Sequence, residues 1–134
     1  MSPTEHKRVF RRLIEEGYNR GCLSVFDEVL ARDFVDHSAC RPPGGANELR
    51  ERIVLLRCAS PDLHLCVDDM AAAGNMTWAA VTVRGTCRQT LGEPGPDECL
   101  GFSRIDTCRY AHGRIAEYWS ESADLMEQLG ITVT

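Results

Sequence analysis

No apolar run in this chain of 134 residues approaches the roughly 18 residues that a membrane-spanning helix needs. No dense Lys/Arg tract is present either, and a net charge of −5 argues against a nucleic-acid surface. The basic residues Lys7, Arg8, Arg11, Arg12, Arg50, Arg52 and Arg57 are interleaved with acids in helical segments, and they read as solvated helix faces. The opening "MSPTEHKRVF" lacks the hydrophobic centre of a secretion signal, so a cytoplasmic protein is expected. There is no C-x-x-C pair among the seven cysteines, whose odd count and scattered spacing give little support to a disulfide framework or a zinc site. Small buried thiols are the default expectation. No pair of histidines has metal-ligand spacing, and no internal repeat, low-complexity tract or linker occurs.

What is there suits one domain over residues 1–134. The apolar content of 43% and charged content of 26% are ordinary for a globular protein long enough to bury a core unaided. In residues 4–20, Val9, Phe10, Leu13, Ile14 and Tyr18 paint one helical stripe, with Thr4 as N-cap and Gly21 as terminator. "SVFDEVLARDF" predicts a second helix, with a capping box of Ser24 and Asp27 and a buried face of Val25, Phe26, Val29, Leu30 and Phe34. "RPPGG" is a loop, and a third helix from Asn47 turns Leu49, Ile53, Leu56 and also Leu55 inward.

The period then changes. "DLHLCVDD" alternates Leu63, Leu65 and Val67 against His64, Cys66 and Asp68, as a half-buried strand does. "NMTWAAVTVRGTCRQT" is a β-branched strand, "LGEPGPDE" a loop, and "CLGFSRIDTCRY" and "RIAEYWS" a hairpin around "AHGR". A short helix over Asp124–Leu129 closes the chain. Three helices followed by about four strands predict an α+β fold, with a curved antiparallel sheet wrapped over the helices.

Four stretches, "FDEVLARDFVDHS", "SPDLHLCVDDMAAAGN", "VRGTCRQTLGEPGP" and "RYAHGRIAEYWSESADLMEQLG", resemble in order and spacing the SnoaL-like polyketide cyclases of the NTF2-like superfamily. The resemblance implies a cone-shaped α+β barrel. It also implies an enzyme without cofactor or metal, often a homodimer, acting on an apolar polycyclic intermediate of antibiotic biosynthesis. Aldol cyclases of that family carry an acid/base carboxylate just after the Trp of the last strand, faced by a His on the neighbouring strand. By register these positions fall here on Ser120 and Asp106, and neither identity matches. The segment after Trp119 is also about two residues shorter than usual in the family, so Glu121 and Asp124 are alternative positions for the acid. The family often places a pocket-lining His where this chain has His37.

A turn centred on Gly113 sets Asp106 opposite Ser120, Cys108 opposite Tyr118, and Tyr110 opposite Ala116, all on one face of the sheet. Asp106 is therefore the first choice for general acid/base. With little polar company its pKa should rise. Pairing with Arg104 or Arg109, or a place on the outer face, is the structural alternative. Ser120, His37 and Glu121 complete the candidate catalytic set, and Tyr118, Tyr110, Cys108, Trp78 and Phe34 are the candidate substrate-binding residues. Asp36 alternates with His37 and should face away from it. Trp78, sharing a face with Ala80, Thr82 and Arg84, fits either a pocket wall or a subunit interface. Trp119 points away from Tyr118 into the core or an interface. His6, His64 and His112 are expected at the surface, and nothing marks Cys108 as an activated thiolate.

Overall fold

The structure, a computed structural model, describes residues 2–37, 43–87 and 98–120. Helix α1 (Pro3–Arg12) continues without a break into a π-helical turn, Leu13–Tyr18. A short helix α2 (Val25–Val29), strand β1 (Leu30–Asp36) and helix α3 (Ala46–Ala59) follow. The remaining strands are β2 (His64–Ala73), β3 (Met76–Cys87), β4 (Glu98–Ala111) and β5 (Arg114–Ser120). They form one curved five-stranded sheet in the order β1-β5-β4-β3-β2. The helices cover one of its faces, where Thr77, Ala79, Val81 and Val83 of β3 and Cys108 and Tyr110 of β4 are buried with Phe10, Leu13, Ile14, Phe26 and Ile53. This is the α+β architecture expected. Each fully buried aliphatic or Phe side chain of this layer contributes roughly 1.5–3 kcal/mol. Among the described residues, no helix is long and apolar enough to cross a membrane.

Several local readings need correction. The N-cap of α1 is Ser2, not Thr4: the Ser2 hydroxyl accepts from the Glu5 amide at 3.2 Å, and the Glu5 carboxylate accepts from the Ser2 amide. Pro3 then takes the first helical position, where its missing N–H costs nothing. The helical stripe is right in its burial, but its last turn widens. The Asn19 amide reaches back to the Ile14 carbonyl at 3.0 Å, and Gly21 ends the segment at φ 65°. No Cβ stands in the way where Gly17 meets Phe26; an added one would lie 3.3 Å from the ring. Ser24 is itself helical and makes no side-chain cap, so the expected box with Asp27 is not formed. Helix α3 begins one residue early, at Ala46, where the Gly45 amide donates to Glu48, and Leu55 is exposed rather than inward.

The largest correction is β1. "LARDF" was expected to be helical, yet Leu30–Asp36 is a strand running parallel to β5, so the sheet is mixed rather than purely antiparallel. Leu30 and Phe34, four apart, are buried as expected. A spacing of four suits a helix face and one side of a strand equally, and the unsatisfied edge of β5 decided the matter. The β4–β5 hairpin turns through His112 and Gly113, at φ 50° and 80°, a two-residue loop of the twist-matched kind. A bulge beside it pairs Tyr110 with Ile115 instead of Ala116, while Asp106–Ser120 and Cys108–Tyr118 pair as expected. In β2 another bulge after Val67 brings Met70 inward. Of the four cysteines whose burial is described, Cys22, Cys58 and Cys66 are exposed and Cys108 is buried, so three of the four are not core residues. Residues 88–97, which include most of the "LGEPGPDE" loop, and the terminal helix over Asp124–Leu129 lie outside the described residues, as do Arg41 and Pro42 of "RPPGG".

At one residue of the edge strand β2, a side chain takes the place of a neighbouring strand. The Asn19 carboxamide donates to the Leu65 carbonyl at 2.8 Å and accepts from its amide at 2.7 Å, as a further strand would. Asn19→Ala should lower stability by about 1–3 kcal/mol, read as a lower urea midpoint with an unchanged slope.

Candidate active site

Period two places Arg104, Asp106, Cys108 and Tyr110 of β4 on the helix-covered face, and pairing with β5 adds Tyr118 and Ser120. Asp106 has no solvent exposure, and Arg104 only 6%. The Arg104 guanidinium donates to Asp106 Oδ2 at 3.0 Å and to the Tyr118 hydroxyl at 3.2 Å. Its Nε lies 3.0 Å from Asp106 Oδ1 in an ion contact too bent for a hydrogen bond. The Tyr118 phenol and the Ser120 hydroxyl lie on the same face as the Asp106 carboxyl and favour its charged form. Because a guanidinium can only donate, the Tyr118 hydroxyl is the acceptor in its bond with Arg104.

Burial pushes the Asp106 carboxyl above the ordinary carboxylate range, against the opposing pull of Arg104 and of the Tyr118 and Ser120 hydroxyls. Burial works against the Arg104 charge as well, but the Asp106 carboxylate raises its pKa overall. The pair is thus an ion pair whose acid takes up a proton more readily than an exposed Asp. Burial holds the Tyr118 phenol and the Cys108 thiol well above their usual values, so both are neutral, and Cys108 is no thiolate nucleophile. The expectation that Asp106 lacks polar company is corrected. Arg104 shares its face by the same two-residue period and pairs with it.

A second buried pair stands beside the first. Asp36, 3% exposed on β1, accepts from Arg52 of α3 at 2.9 Å. The parallel register sets Asp36 beside Tyr118 on the same face, while His37 points the other way. There His37 stacks on Trp119, with ring centroids 5.1 Å apart, and bonds Glu117 at 3.2 Å; Arg109 also pairs with Glu117. The roles expected of Asp36 and His37 are therefore exchanged, because the segment is a strand paired with β5. Tyr18, brought inward by the π turn, lies under Arg104 at 5.3 Å from its ring centroid.

Tyr110 is buried and shares a 2.8 Å hydrogen bond with Thr77, and Phe34 is in the core. Trp78, 41% exposed, sits on the sheet face opposite Asp106 and is not part of this cluster. His64 is exposed as expected, whereas His6 is buried and stacked on Tyr110 at 4.3 Å, a surface expectation that fails. Glu121 and Asp124 lie outside the described residues. A cleft of about 630 Å³ at the turn end of the sheet, lined by Pro3, His6, Asn75, Tyr110 and His112, does not include Asp106. Among the described residues, no three His, Cys, Asp or Glu side chains converge as a metal-ligand set.

Arg52, Asp36 and Tyr18 were not among the sequence candidates. Arg52 sits at helical spacing from Leu49 and Leu56, which is the one local signal that would have turned it inward.

The family model described as SnoaL-like polyketide cyclase matches residues 8–129. No curated protein matches the chain in sequence. Among solved structures, TsrD from Streptomyces laurentii superposes with a TM-score of 0.79 at 22% identity, covering 98% of this chain and 99% of TsrD. IdmH from Streptomyces antibioticus, described as a proposed polyketide cyclase, gives 0.77 at 24% identity over 93% of this chain and 98% of IdmH. AclR from Streptomyces galilaeus, a proposed hydroxylase, gives 0.77 at 20% identity over 99% of this chain and 89% of AclR. At these identities the likeness is one of fold.

Without its cation, the Asp106 carboxylate would be buried and uncompensated. Arg104→Met should cost about 3–5 kcal/mol at neutral pH. The loss should shrink on acidification, since the raised acid lets the folded state bind the extra proton and stability falls as pH rises from the unfolded Asp value to the folded one. Urea unfolding at pH 5 and pH 8 tests this; equal losses at both would contradict it.

Proposed function

Since the chain belongs to the SnoaL-like polyketide cyclase family, we propose that it is a cofactor-independent cyclase. It closes a ring in an apolar polyketide or related natural-product intermediate. The observation that carries this reading is a fully buried Asp106 held between a guanidinium, a phenol and a hydroxyl. In an aldol-type closure, the Asp106 carboxylate removes a proton from a carbon beside a carbonyl. Arg104 and the Tyr118 hydroxyl hold the enolate oxygen that forms. The enolate carbon attacks a second carbonyl of the same molecule, and the new alkoxide takes the proton back from Asp106. Atoms balance without a redox partner.

An acid raised by burial also suits protonation of an epoxide oxygen, so ring closure by epoxide opening uses the same carboxyl. His37 has no part in either version, being engaged with Trp119 and Glu117 on the other face. A cytoplasmic homodimer belongs to the same reading, with Trp78 at the subunit interface rather than in the pocket wall.

Asp106→Asn should lower turnover by about 10²–10⁴-fold while leaving product affinity within a few-fold. Single-turnover kinetics on the pathway intermediate, with product binding measured in parallel, distinguishes the outcomes. A variant that binds unchanged beside a wild type that turns nothing over would make the protein a binder and end the enzymatic reading.

A further inference from the structure

The helical segment that opens the chain does not keep its ordinary register to the end. Leu13–Tyr18 is a π turn, closed by the Asn19 amide on the Ile14 carbonyl at 3.0 Å. Such turns are rare inside helices and recur at functional sites, so what this one carries inward is informative. It carries Tyr18, 1% exposed, whose ring lies under the Arg104 guanidinium with its centroid 5.3 Å away. Two neighbours fix this end of the segment. Arg57 of α3 donates to the Tyr18 carbonyl at 2.8 Å, and the Asn19 carboxamide holds both backbone groups of Leu65 on β2. Tyr18 is thereby pinned from α3 and β2 against a residue of β4.

Arg104 needs such a neighbour. It donates to Asp106 at 3.0 Å and to the Tyr118 hydroxyl at 3.2 Å. Once Asp106 takes up a proton the anion is gone, but a guanidinium keeps its charge. A ring face attracts a cation whatever the state of a nearby acid, and more strongly where water is excluded. We propose that Tyr18 is a positioning residue: its ring, carried under Arg104 by the π turn, holds the guanidinium in place through the half of the proton cycle in which Asp106 is neutral. Tyr18 acts through Arg104 and not on the reacting atoms. The other polar groups facing the pair are Cys108 on β4 and Tyr118 and Ser120 on β5. Strand β1 and α3 add Asp36 and Arg52, which are paired with each other, and β3 adds Thr77, bonded to Tyr110. Strand β2 presents the apolar Leu65 and Met70.

The functional meaning rests on the cyclase reading, with Asp106 as the proton-transfer group, but the test reads the carboxyl itself. Carbon-13 NMR follows the Asp106 side-chain carbon through a pH titration of the full chain, with the Asp106→Asn spectrum giving the assignment. Tyr18→Leu removes the ring in both states of Asp106 and weighs most on the neutral one, where the cation has lost its anion. The Asp106 midpoint should therefore fall by about half a unit or more. Tyr18→Phe keeps the ring face and should hold the midpoint near wild type. A ring that merely filled space would give the opposite sign on removal, because a loosened ion pair stabilises the carboxylate less and raises its midpoint. The proposal is overturned if Tyr18→Leu raises the midpoint or leaves it unchanged, or if Tyr18→Phe shifts it as far as Tyr18→Leu. Should Tyr18→Leu fail to fold, Tyr18→pentafluorophenylalanine keeps the shape of the ring and reverses its quadrupole. That variant must then titrate below Tyr18→Phe, and an equal or higher midpoint overturns the proposal. Full turnover by Asp106→Asn would remove the cyclase reading without touching these shifts.

Discussion

Burying a carboxylate without a cation costs several kcal/mol, and that constraint organises the inner face of this sheet. Asp106 sits where no water reaches it, so Arg104 must lie on the same strand face, two residues away. Asp36 meets the same demand through Arg52, which reaches it from a helix. Both pairs then border on Tyr118, which is itself buried and must place its hydroxyl against a partner. The core is apolar around this cluster, with Phe10, Phe26, Ile53 and Ile115 among its members. The result is a polar seam inside a hydrophobic layer, built from β1, β4, β5, α3 and the π turn.

That seam brings a carboxyl, a guanidinium and a phenol together inside a small domain. A carboxyl raised by burial takes up a proton more readily than an exposed Asp, and when it does so the Arg104 charge loses its counter-ion. The neutral phenol beside it supplies a donor that does not compete for that proton. The opposite face of the sheet carries different chemistry. There His37, Trp119, Glu117 and Arg109 form a half-exposed cluster that communicates with solvent, not with Asp106.

Strand β1 is the hinge of the whole arrangement in sequence terms. If residues 30–36 were helical, as their four-residue apolar spacing permits, Asp36 would have no fixed relation to Tyr118 and His37 none to Trp119. Parallel pairing with β5 sets both relations at once. A sequence window of that length holds too few apolar positions to separate period two from period 3.6. What separates them is the hydrogen-bonding edge of β5, more than seventy residues further along the chain.

The sequence by itself determined the α+β order, the inward stripes of α1 and α3, the alternation of the strands and the β4–β5 register at Asp106–Ser120 and Cys108–Tyr118. These follow from local periodicity and from a two-residue turn, both of which are short-range. It also contained the Arg104–Asp106 pairing in plain view, since residues two apart on a strand share a face. Only the tertiary structure decided which carboxylates are paired inside, that Asp36 rather than His37 faces Tyr118, and that Arg52 and Tyr18 join them. Those outcomes depend on which elements meet across long stretches of chain, and on the rule that a buried charge takes whatever partner the packing brings within reach.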